Sequence, residues 1–588
     1  MIKYVNKLEI EEATMANNKQ HINNKWLVAD FETTIYETYL QEGRTRVWLW
    51  AIAMPNGKPL VWGETIEEFF DTLKDYNGFD IYFHNLRFDG SFIINYLLEN
   101  EFVCVDKIDK HDTKKFSCLI ADNGAWYVIE AALTTRCHIK FIDSLKLLPF
   151  SVDKIAKDFG FEEQKLKIDY SDYTINEHTV EYVYHDVIIV AKALSEVKLQ
   201  GINKLTIASS AYHYYKDMSG RLFNQYFPRL TDEMLTDYRK AYRGGRSQVN
   251  PLHARKILNG VKRFDINSMY PHIMRNLPLP YGLPVPIKKR HTYDFELYKV
   301  NISFNLKMGH LPTLLKKGGM TLDDTYYICT EDVEEIYISS QDYDLLEKHY
   351  DITYVEFVEM WGFNCAVGLF KKYIDYWYEI KCSCKGAKKV LAKLMLNSLY
   401  GKFGTKPKCD SKKPVLSEDG LEFEKVEDTG FRAYYLPVAI AITSWAHVLI
   451  DNAICETGYE NFVYCDTDSV HTLGTLPADM VDSTELGKFK LEAVEETSKY
   501  VRQKTYVYSE YVEGKLEHFI TACGLNQKSK DYAVTQYKEG IFDMFDFGFE
   551  VKGLKLMPKQ VKGGCVLVPS DFNLREGVKK DGKEAKDI

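Results

Sequence analysis

The sequence predicts a multidomain chain of mixed class, an α/β domain leading into α+β units. Three observations carry that reading. At 588 residues the chain exceeds what one hydrophobic core can serve, and ordinary domain sizes give about three to five units. Residues 1–207 alternate short apolar runs with helical periodicity, the pattern of strands backed by helices. Beyond them, similar signals are interrupted by two blocks without catalytic pattern, at 277–368 and 405–436, which look inserted.

Taken in order, the apolar run at 26–29 leads into Asp30-Phe31-Glu32, and the two-residue period of a strand turns both carboxylates to one face. Residues 81–85 read as a strand feeding a helix near 90–99, with Asp89 at its start. On a helix predicted over 181–194, Tyr182 and Asp186 share a face, while Val183, Val187, Val190, Ala191 and Leu194 form the buried stripe. The paired glycines of Tyr242-Arg243-Gly244-Gly245 let the backbone approach something closely. A strand over 261–264 ends on Asp265, and the first inserted block is Pro-rich at 278–280 and 284–286. Residues 375–404 are largely helical, with Lys389, Lys393, Asn397 and Tyr400 inside an arc of about 80° at 3.6 residues per turn. In the second block, Asp419-Gly420 between short alternating runs signals a hairpin. Residues 463–470 form an apolar hairpin with Asp466 and Asp468 at its turn. From about residue 537 the chain becomes short strand-like stretches, and 575–588 is a charged tail to which no structure is assigned.

Hydrophobic residues at 45%, aromatics at 14% and 41 tyrosines describe a well-packed globular protein with many rings available for packing or base stacking. The net charge of −9 gives no overall basic surface, so sign is read locally. Between Lys381 and Lys413 ten lysines face a single acid, Asp410, a block that attracts phosphates. The 12 cysteines are scattered, without zinc-ribbon spacing, and read as reduced buried thiols. No run approaches the roughly 18 apolar residues of a membrane span, and the polar start lacks the apolar core of a signal peptide. A cytoplasmic protein is expected.

Two carboxylates two residues apart at an apolar turn want a metal ion, because solvation alone would not hold them there. Transfer from a nucleoside triphosphate needs charge neutralised on the triphosphate and on the attacking 3′ hydroxyl, and two divalent ions about 4 Å apart do both. Asp265 and Asp468 are assigned as ligands bridging both ions, with Asp466 as a nearby or outer ligand, and hard carboxylate oxygens suit Mg2+ or Mn2+. Lys393 grips the triphosphate, Lys381 and Lys389 are secondary phosphate contacts, and Asn397 shares their stripe. Tyr270 and Tyr400 form a floor and wall under the incoming sugar and base. Asp30, Glu32, Asp89 and Asp186 make a second set suited to two-metal hydrolysis of a phosphodiester, with Tyr182 placed to orient the water. Taken singly, each motif has an ordinary reading: Asp favours tight turns, Lys and Asn on a helix are a solvated face, and a lone acid is a cap or surface charge. Their occurrence together and in order departs from all of these.

In that order the motifs resemble the family B DNA polymerases, and among them the protein-primed, strand-displacing enzymes of small tailed phages. Asp265 to Pro271 matches the first polymerase motif, Lys393 to Gly401 the second, and Tyr464 to Ser469 the third. Lys504-Thr505-Tyr506 matches the element that holds the primer end, and Tyr242 to Gly245 the linker motif associated with coordinating synthesis and proofreading. The resemblance, running from about residue 25 to about 573, implies DNA contacts at Tyr242, Gly244, Gly245, Lys504 and Tyr506 and a steric gate against ribose at Tyr270. Ile266 is counted with Asp265 among the metal and nucleotide contacts. The second carboxylate set is similar to the family's three exonuclease motifs, with Asn85 and Phe88 holding the frayed single strand by hydrogen bonding and stacking. Ser144, Leu145, Lys165 and Tyr170 match further elements for the single strand and for catalysis.

The resemblance implies a ribonuclease-H-like exonuclease domain at 1–207, followed by a right-hand polymerase. Its palm spans 208–276 and 437–536, its fingers 369–404, and its thumb with the charged tail 537–588. The insertion at 277–368 is expected to contact a terminal protein, and that at 405–436 to close a ring on the DNA. Two Mg2+ or Mn2+ ions per active site and deoxynucleoside triphosphates are implied. So are primer-template DNA, single-stranded DNA in the exonuclease site, and a terminal-protein heterodimer at initiation, the chain otherwise being monomeric in the host cytoplasm. The competing readings are a nuclease-only enzyme, against which the intact Asp265, Lys393 and Asp468 speak, and a non-enzymatic replisome scaffold, which should have lost at least one carboxylate where none is missing.

Overall fold

The structure, a computed structural model, describes residues 25–316 and 325–576. The expectations for residues 1–24 and for the charged tail beyond 576 lie outside the described residues.

Eight strands build the first sheet: β1 (Trp26–Thr33), β2 (Val47–Ala53), β3 (Pro59–Gly63), β4 (Asp80–Phe83), β5 (Val103–Cys104), β6 (Lys115–Ile120), β7 (Trp126–Thr134) and β8 (Cys137–Asp143). Their order is β3-β2-β1-β4-β8-β7-β6-β5, with β1, β4 and β8 parallel at the centre and β2 antiparallel beside β1. Both faces are covered, which is why β1 and β2 read as near-continuous apolar runs. Helix α1 (Leu86–Glu99) packs with Leu27, Ala29 and Ile81 on one side, and α2 (Glu177–Leu199) with Val28 and Leu49 on the other. Because β1 alternates, Asp30 and Glu32 point towards α2. That helix starts four residues before the predicted bound, fixed by a capping box in which Asn176 and Thr179 bond reciprocally. Helix α1 starts at Leu86 rather than near Gly90, so Asp89 stands in its first turn.

After β9 (Ser247–Val249), β10 (Ile257–Leu258) and β11 (Val261–Ile266) comes the first inserted block, a four-stranded antiparallel sheet. It holds β12 (Leu279–Pro286), β13 (Phe295–Leu306), β14 (Glu334–Ser339) and β15 (Tyr350–Ala366), with α3 (Ser340–His349) leading into the last strand. The predicted helical stretch is two helices, α4 (Lys371–Ser383) and α5 (Gly386–Phe403). The second block is a hairpin of β16 (Ser411–Ser417) and β17 (Gly420–Val426) whose loop is Glu418-Asp419, one residue before the predicted pair.

Helix α6 (Leu436–Thr457) corrects one expectation. It is long and apolar enough to cross a membrane by length and composition, although no run of that kind was foreseen. Val438, Ala439, Ile440, Ala441 and Ile442 are all inaccessible, and a helix apolar all round is a core helix when it is covered. It lies in the same core as α5 and the strands β18 (Phe462–Asp466) and β19 (Ser469–Thr472). Those strands join β20 (Phe489–Glu495), β11 and β9 in an antiparallel sheet ordered β20-β11-β19-β18-β9. A further sheet pairs β10 with β21 (Thr497–Arg502), β22 (Thr505–Val512) and β23 (Lys515–Ala522).

The last described elements form a hairpin, β24 (Glu550–Val561) and β25 (Gly564–Asn573), longer than the short stretches predicted. Its tip docks on the first sheet's domain: Thr45 N donates to Lys562 O at 3.0 Å and Gln560 Nε2 to Ser91 Oγ at 2.9 Å. The β16–β17 hairpin meets both, with Asp122 N donating to Asp410 O at 3.0 Å and Leu421 sharing a core with Cys565 and Trp126. Gly420 has φ +130°, and a Cβ there would fall 2.5 Å from the Val561 carbonyl carbon. Only glycine lets these two hairpins touch.

Ile440→Ala should lower the guanidinium midpoint by an amount corresponding to about 2–5 kcal/mol, the range for an aliphatic side chain lost from a closed core. An unchanged midpoint would mean that α6 does not hold the centre of the molecule together.

Candidate active sites

The first cluster sits where β1, α1 and α2 converge. One ligand oxygen each from Asp30, Glu32 and Asp186 lies within 4.8 Å of the others, and Asp89 joins them electrostatically from α1. Together with Asn85, Phe88, Lys165 and Tyr182 they line a cavity of about 280 Å³, to whose wall Leu567 of β25 also contributes. Burial and then the charge of Asp186 push Asp30 up to about 7. Burial and Asp30 drive Glu32 and Asp89 well above the usual carboxylate range. Lys165, in contact with Asp186 Oδ2, opposes this, but Asp186 Oδ1 is buried without a hydrogen-bond partner. An orphaned carboxylate oxygen among like charges is what a divalent cation would satisfy, and the all-oxygen donor set fits Mg2+ or Mn2+. Tyr182 hydroxyl is 3.0 Å from that of the exposed Tyr170.

Two of the predicted strand contacts are organised by a residue that sequence reasoning missed. Asp143 Oδ1 accepts from the backbone N–H groups of Asn85, Leu86 and Leu145, holding Asn85 in a left-handed conformation at φ 76°. Ser144 is fully buried, donating to Phe83 O at 2.9 Å and lying 2.9 Å from His84 Nδ1. The structure therefore places its hydroxyl beneath the site. Leu145 is half-buried.

The second cluster forms at one end of the five-stranded sheet. Asp265 pairs with Ser469 across β11–β19, and Ile266 N donates to Asp468 O at 2.8 Å, which brings Asp265 and Asp468 into electrostatic contact at the hairpin turn, though not as tightly as the first cluster. The turn is tight: Thr467 has φ 62°, and Asp468 N donates to Asp466 O at 2.7 Å. Gly245 supports it from behind, since a Cβ there would fall 2.7 Å from Thr467 Oγ1. Burial and the charges of Asp468 and Glu492 raise Asp265 to about 7, with Lys393 and Lys490 opposing. Burial, Asp466 and Glu492 also raise Asp468. Glu492 is a carboxylate the sequence reading did not single out. Asp466 turns instead to Lys504, with Nζ to Oδ1 at 3.1 Å.

The other predicted residues converge here. Tyr270 and Tyr400 pack against each other with ring centroids 4.1 Å apart and planes tilted by 33°. Lys381 Nζ donates to Ser268 Oγ at 2.7 Å, and burial followed by the charges of Lys393 and Lys389 lowers its pKa. Lys389, Lys393 and Asn397 form the exposed face of α5. Tyr506 packs 5.3 Å from Tyr464, whose hydroxyl accepts from Lys504 N. Tyr242 is half-buried, and Gly244 O accepts from His447 Nε2 at 2.6 Å.

A ribonuclease-H-like domain with a carboxylate-lined cavity, joined to a sheet whose acids face a lysine-bearing helix, defines a right-hand nucleic-acid polymerase with an exonuclease-type domain. Residues 71–174 and 169–485 match the family described as DNA polymerase type B, organellar and viral. The DNA polymerase of Bacillus phage Nf is 36% identical over 94% of this chain and 100% of its own length, and that of Bacillus phage phi29 is 34% identical over 95% and 100%. The solved phi29 DNA polymerase, complexed with primer-template DNA, matches with TM-score 0.85 at 33% identity over 94% of this chain and 100% of that one. Its complex with single-stranded DNA gives TM-score 0.84 over the same shares. The chain belongs to the type B DNA polymerases, in the group of the phi29-like phage enzymes. It is a DNA-directed DNA polymerase, which takes deoxynucleoside triphosphates and a divalent metal.

Without metal, Asp30 and Asp265 take up protons in the folded state that the unfolded chain releases near 3.8. These groups therefore favour the fold most below about 4 and progressively less as pH rises to about 7, whereas a bound cation favours their charged forms. The gain in melting midpoint from saturating Mn2+ should grow from pH 6 to pH 8. A gain that shrank over that interval would contradict these proton affinities.

Proposed function

We propose that this chain replicates a linear phage genome from a terminal-protein primer in the host cytoplasm, displaces the strand ahead of it, and proofreads with a 3′ to 5′ exonuclease. The observation that carries the reading is the presence of two separate carboxylate centres, one buried and one half-buried, in one chain of polymerase family. In the domain scheme it follows, 1–207 is the exonuclease domain, 208–276 and 437–536 the palm, 369–404 the fingers, and 537–588 the thumb and tail.

Asp265 and Asp468 would hold two divalent ions for synthesis, with the Ile266 backbone beside them and Asp466 nearby. Asp30, Glu32, Asp89 and Asp186 would hold two for hydrolysis. Such ions neutralise phosphate charge and raise the acidity of the attacking hydroxyl or water. On the synthetic side Lys393, Lys381 and Lys389 meet the triphosphate, the packed Tyr270–Tyr400 pair bounds the sugar, and Lys504 with Tyr506 seats the primer end. On the hydrolytic side Lys165 steadies Asp186, Tyr182 orients water, and Asn85, Phe88, Leu145 and Tyr170 hold the single strand. Ser144 acts through His84 and the backbone rather than by touching DNA.

The contact of β16–β17 with the β24–β25 hairpin, both against the first domain, supports a closed ring around DNA made by the 405–436 block. The 277–368 block, a separate sheet, is the surface assigned to the terminal protein at initiation.

On a primed template with a terminal mismatch, Asp468→Ala should reduce extension by about 10³-fold and spare trimming, and Asp30→Ala should do the reverse. The size follows from several kcal/mol of charge stabilisation at about 1.4 kcal/mol per tenfold. Loss of both activities in either variant would defeat the two-site reading. Gly420→Val should separate the hairpins and shorten products on a primed single-stranded circle at single-hit enzyme levels, while insertion of one nucleotide stays near the parent rate. Undiminished product length would remove the ring.

A further inference from the structure

Away from both carboxylate centres, one cluster joins soft and hard donors. His349 closes α3 in the first inserted block, while Asp451 and Cys455 stand one turn apart on α6. A ligand atom of each lies within 4.8 Å of the others. His349 Nε2 is 3.1 Å from Asp451 Oδ2, and Cys455 Sγ is 3.8 Å from that same oxygen. Zinc bonds of about 2.0–2.3 Å give tetrahedron edges of about 3.3–3.7 Å, so the three donors already stand around a common point.

Their surroundings orient them. His349 Nδ1 is 3.1 Å from His310 Nδ1, a nitrogen that can accept the His349 proton and leave Nε2 as the lone-pair donor. Asp451 Oδ1 is fixed by Arg246 Nη1 at 2.9 Å, each side chain only 1% exposed. The mouth holds a cation, Lys348, with Nζ 2.7 Å from Asp451 Oδ2 and 3.2 Å from Cys455 Sγ. Its side chain is 42% exposed, so the ammonium can swing out to water. Exchanging it for a divalent ion while Cys455 gives up its thiol proton leaves the net charge of the cluster unchanged.

We propose that His349 Nε2, Asp451 Oδ2 and Cys455 Sγ bind one divalent transition ion of the zinc class, with water in the fourth position, clipping the first inserted block to α6. A thiolate and an imidazole favour such an ion over Mg2+, which separates this site from the two all-carboxylate centres. Binding expels Lys348 and releases one proton; no redox step is involved.

Titrating the full chain with Co2+ as an optical substitute for Zn2+ tests this. A near-ultraviolet thiolate-to-metal charge-transfer band should saturate at one equivalent and be bleached by Zn2+. Cys455→Ser and His349→Gln should each abolish the band and keep the parent rate of primer extension, and the exposed Cys455→Ser should also keep the parent melting midpoint in chelator. Lys348→Met, which removes the competing ammonium, should tighten Co2+ binding several-fold. No band in the parent chain, a band that survives in both variants, or weaker binding in Lys348→Met would overturn the assignment.

Discussion

Carboxylates held together against their own repulsion set the terms for the rest of this structure. At each centre, burial withholds the water that would screen the acids, and their neighbours raise their proton affinity further. Cationic side chains ease the crowding but do not remove it: Lys165 reaches one oxygen of Asp186 and leaves the other unpartnered. The framework must therefore be stiff enough to keep like charges close until a cation arrives. Both centres are built accordingly, one on the alternation of β1 against two helices, the other on a hairpin turn locked by its own backbone hydrogen bond and backed by Gly245.

Stiffness at the sheets is coupled to contact between distant parts of the chain. The terminal hairpin reaches back to the first domain, places Leu567 in the wall of the hydrolytic cavity, and meets the second inserted hairpin at Gly420. The first inserted block is tied to α6 by a buried network in which Asp342 accepts from His447 and from Ser444, while His447 also reaches Gly244 O. The glycine pair behind the synthetic turn is thus connected through one helix to the insertion. A terminal hairpin touching the hydrolytic cavity, and an insertion wired to the synthetic turn, give each centre a physical link to surfaces outside it.

Much of this was legible in the sequence where a local period decides geometry. The strand period of Asp30-Phe31-Glu32, the four-residue step from Tyr182 to Asp186 and the lysine stripe on α5 each put side chains on one face without knowledge of the fold. The Asp466–Asp468 turn was legible for the same reason. Glu492, Asp143 and Leu567 were not, because their places depend on strand register and on packing between segments far apart in sequence. Ser144 shows the converse limit: a motif position gives no sign of whether a small hydroxyl will face the solvent or the backbone beneath it. The apolar character of α6 was underestimated because polar residues such as Thr443, Ser444 and His447 interrupt it, and these are buried only because partners satisfy them.

The most direct measurement is the anomalous diffraction of Mn2+ in crystals of the full chain grown with primer-template DNA. Manganese peaks should lie within coordinating distance, about 2.0–2.4 Å, of Asp265 and Asp468 and, separately, of Asp30, Glu32 and Asp186. Absence of density at either centre, with its acids turned apart or bonded only to lysines, would contradict that arrangement.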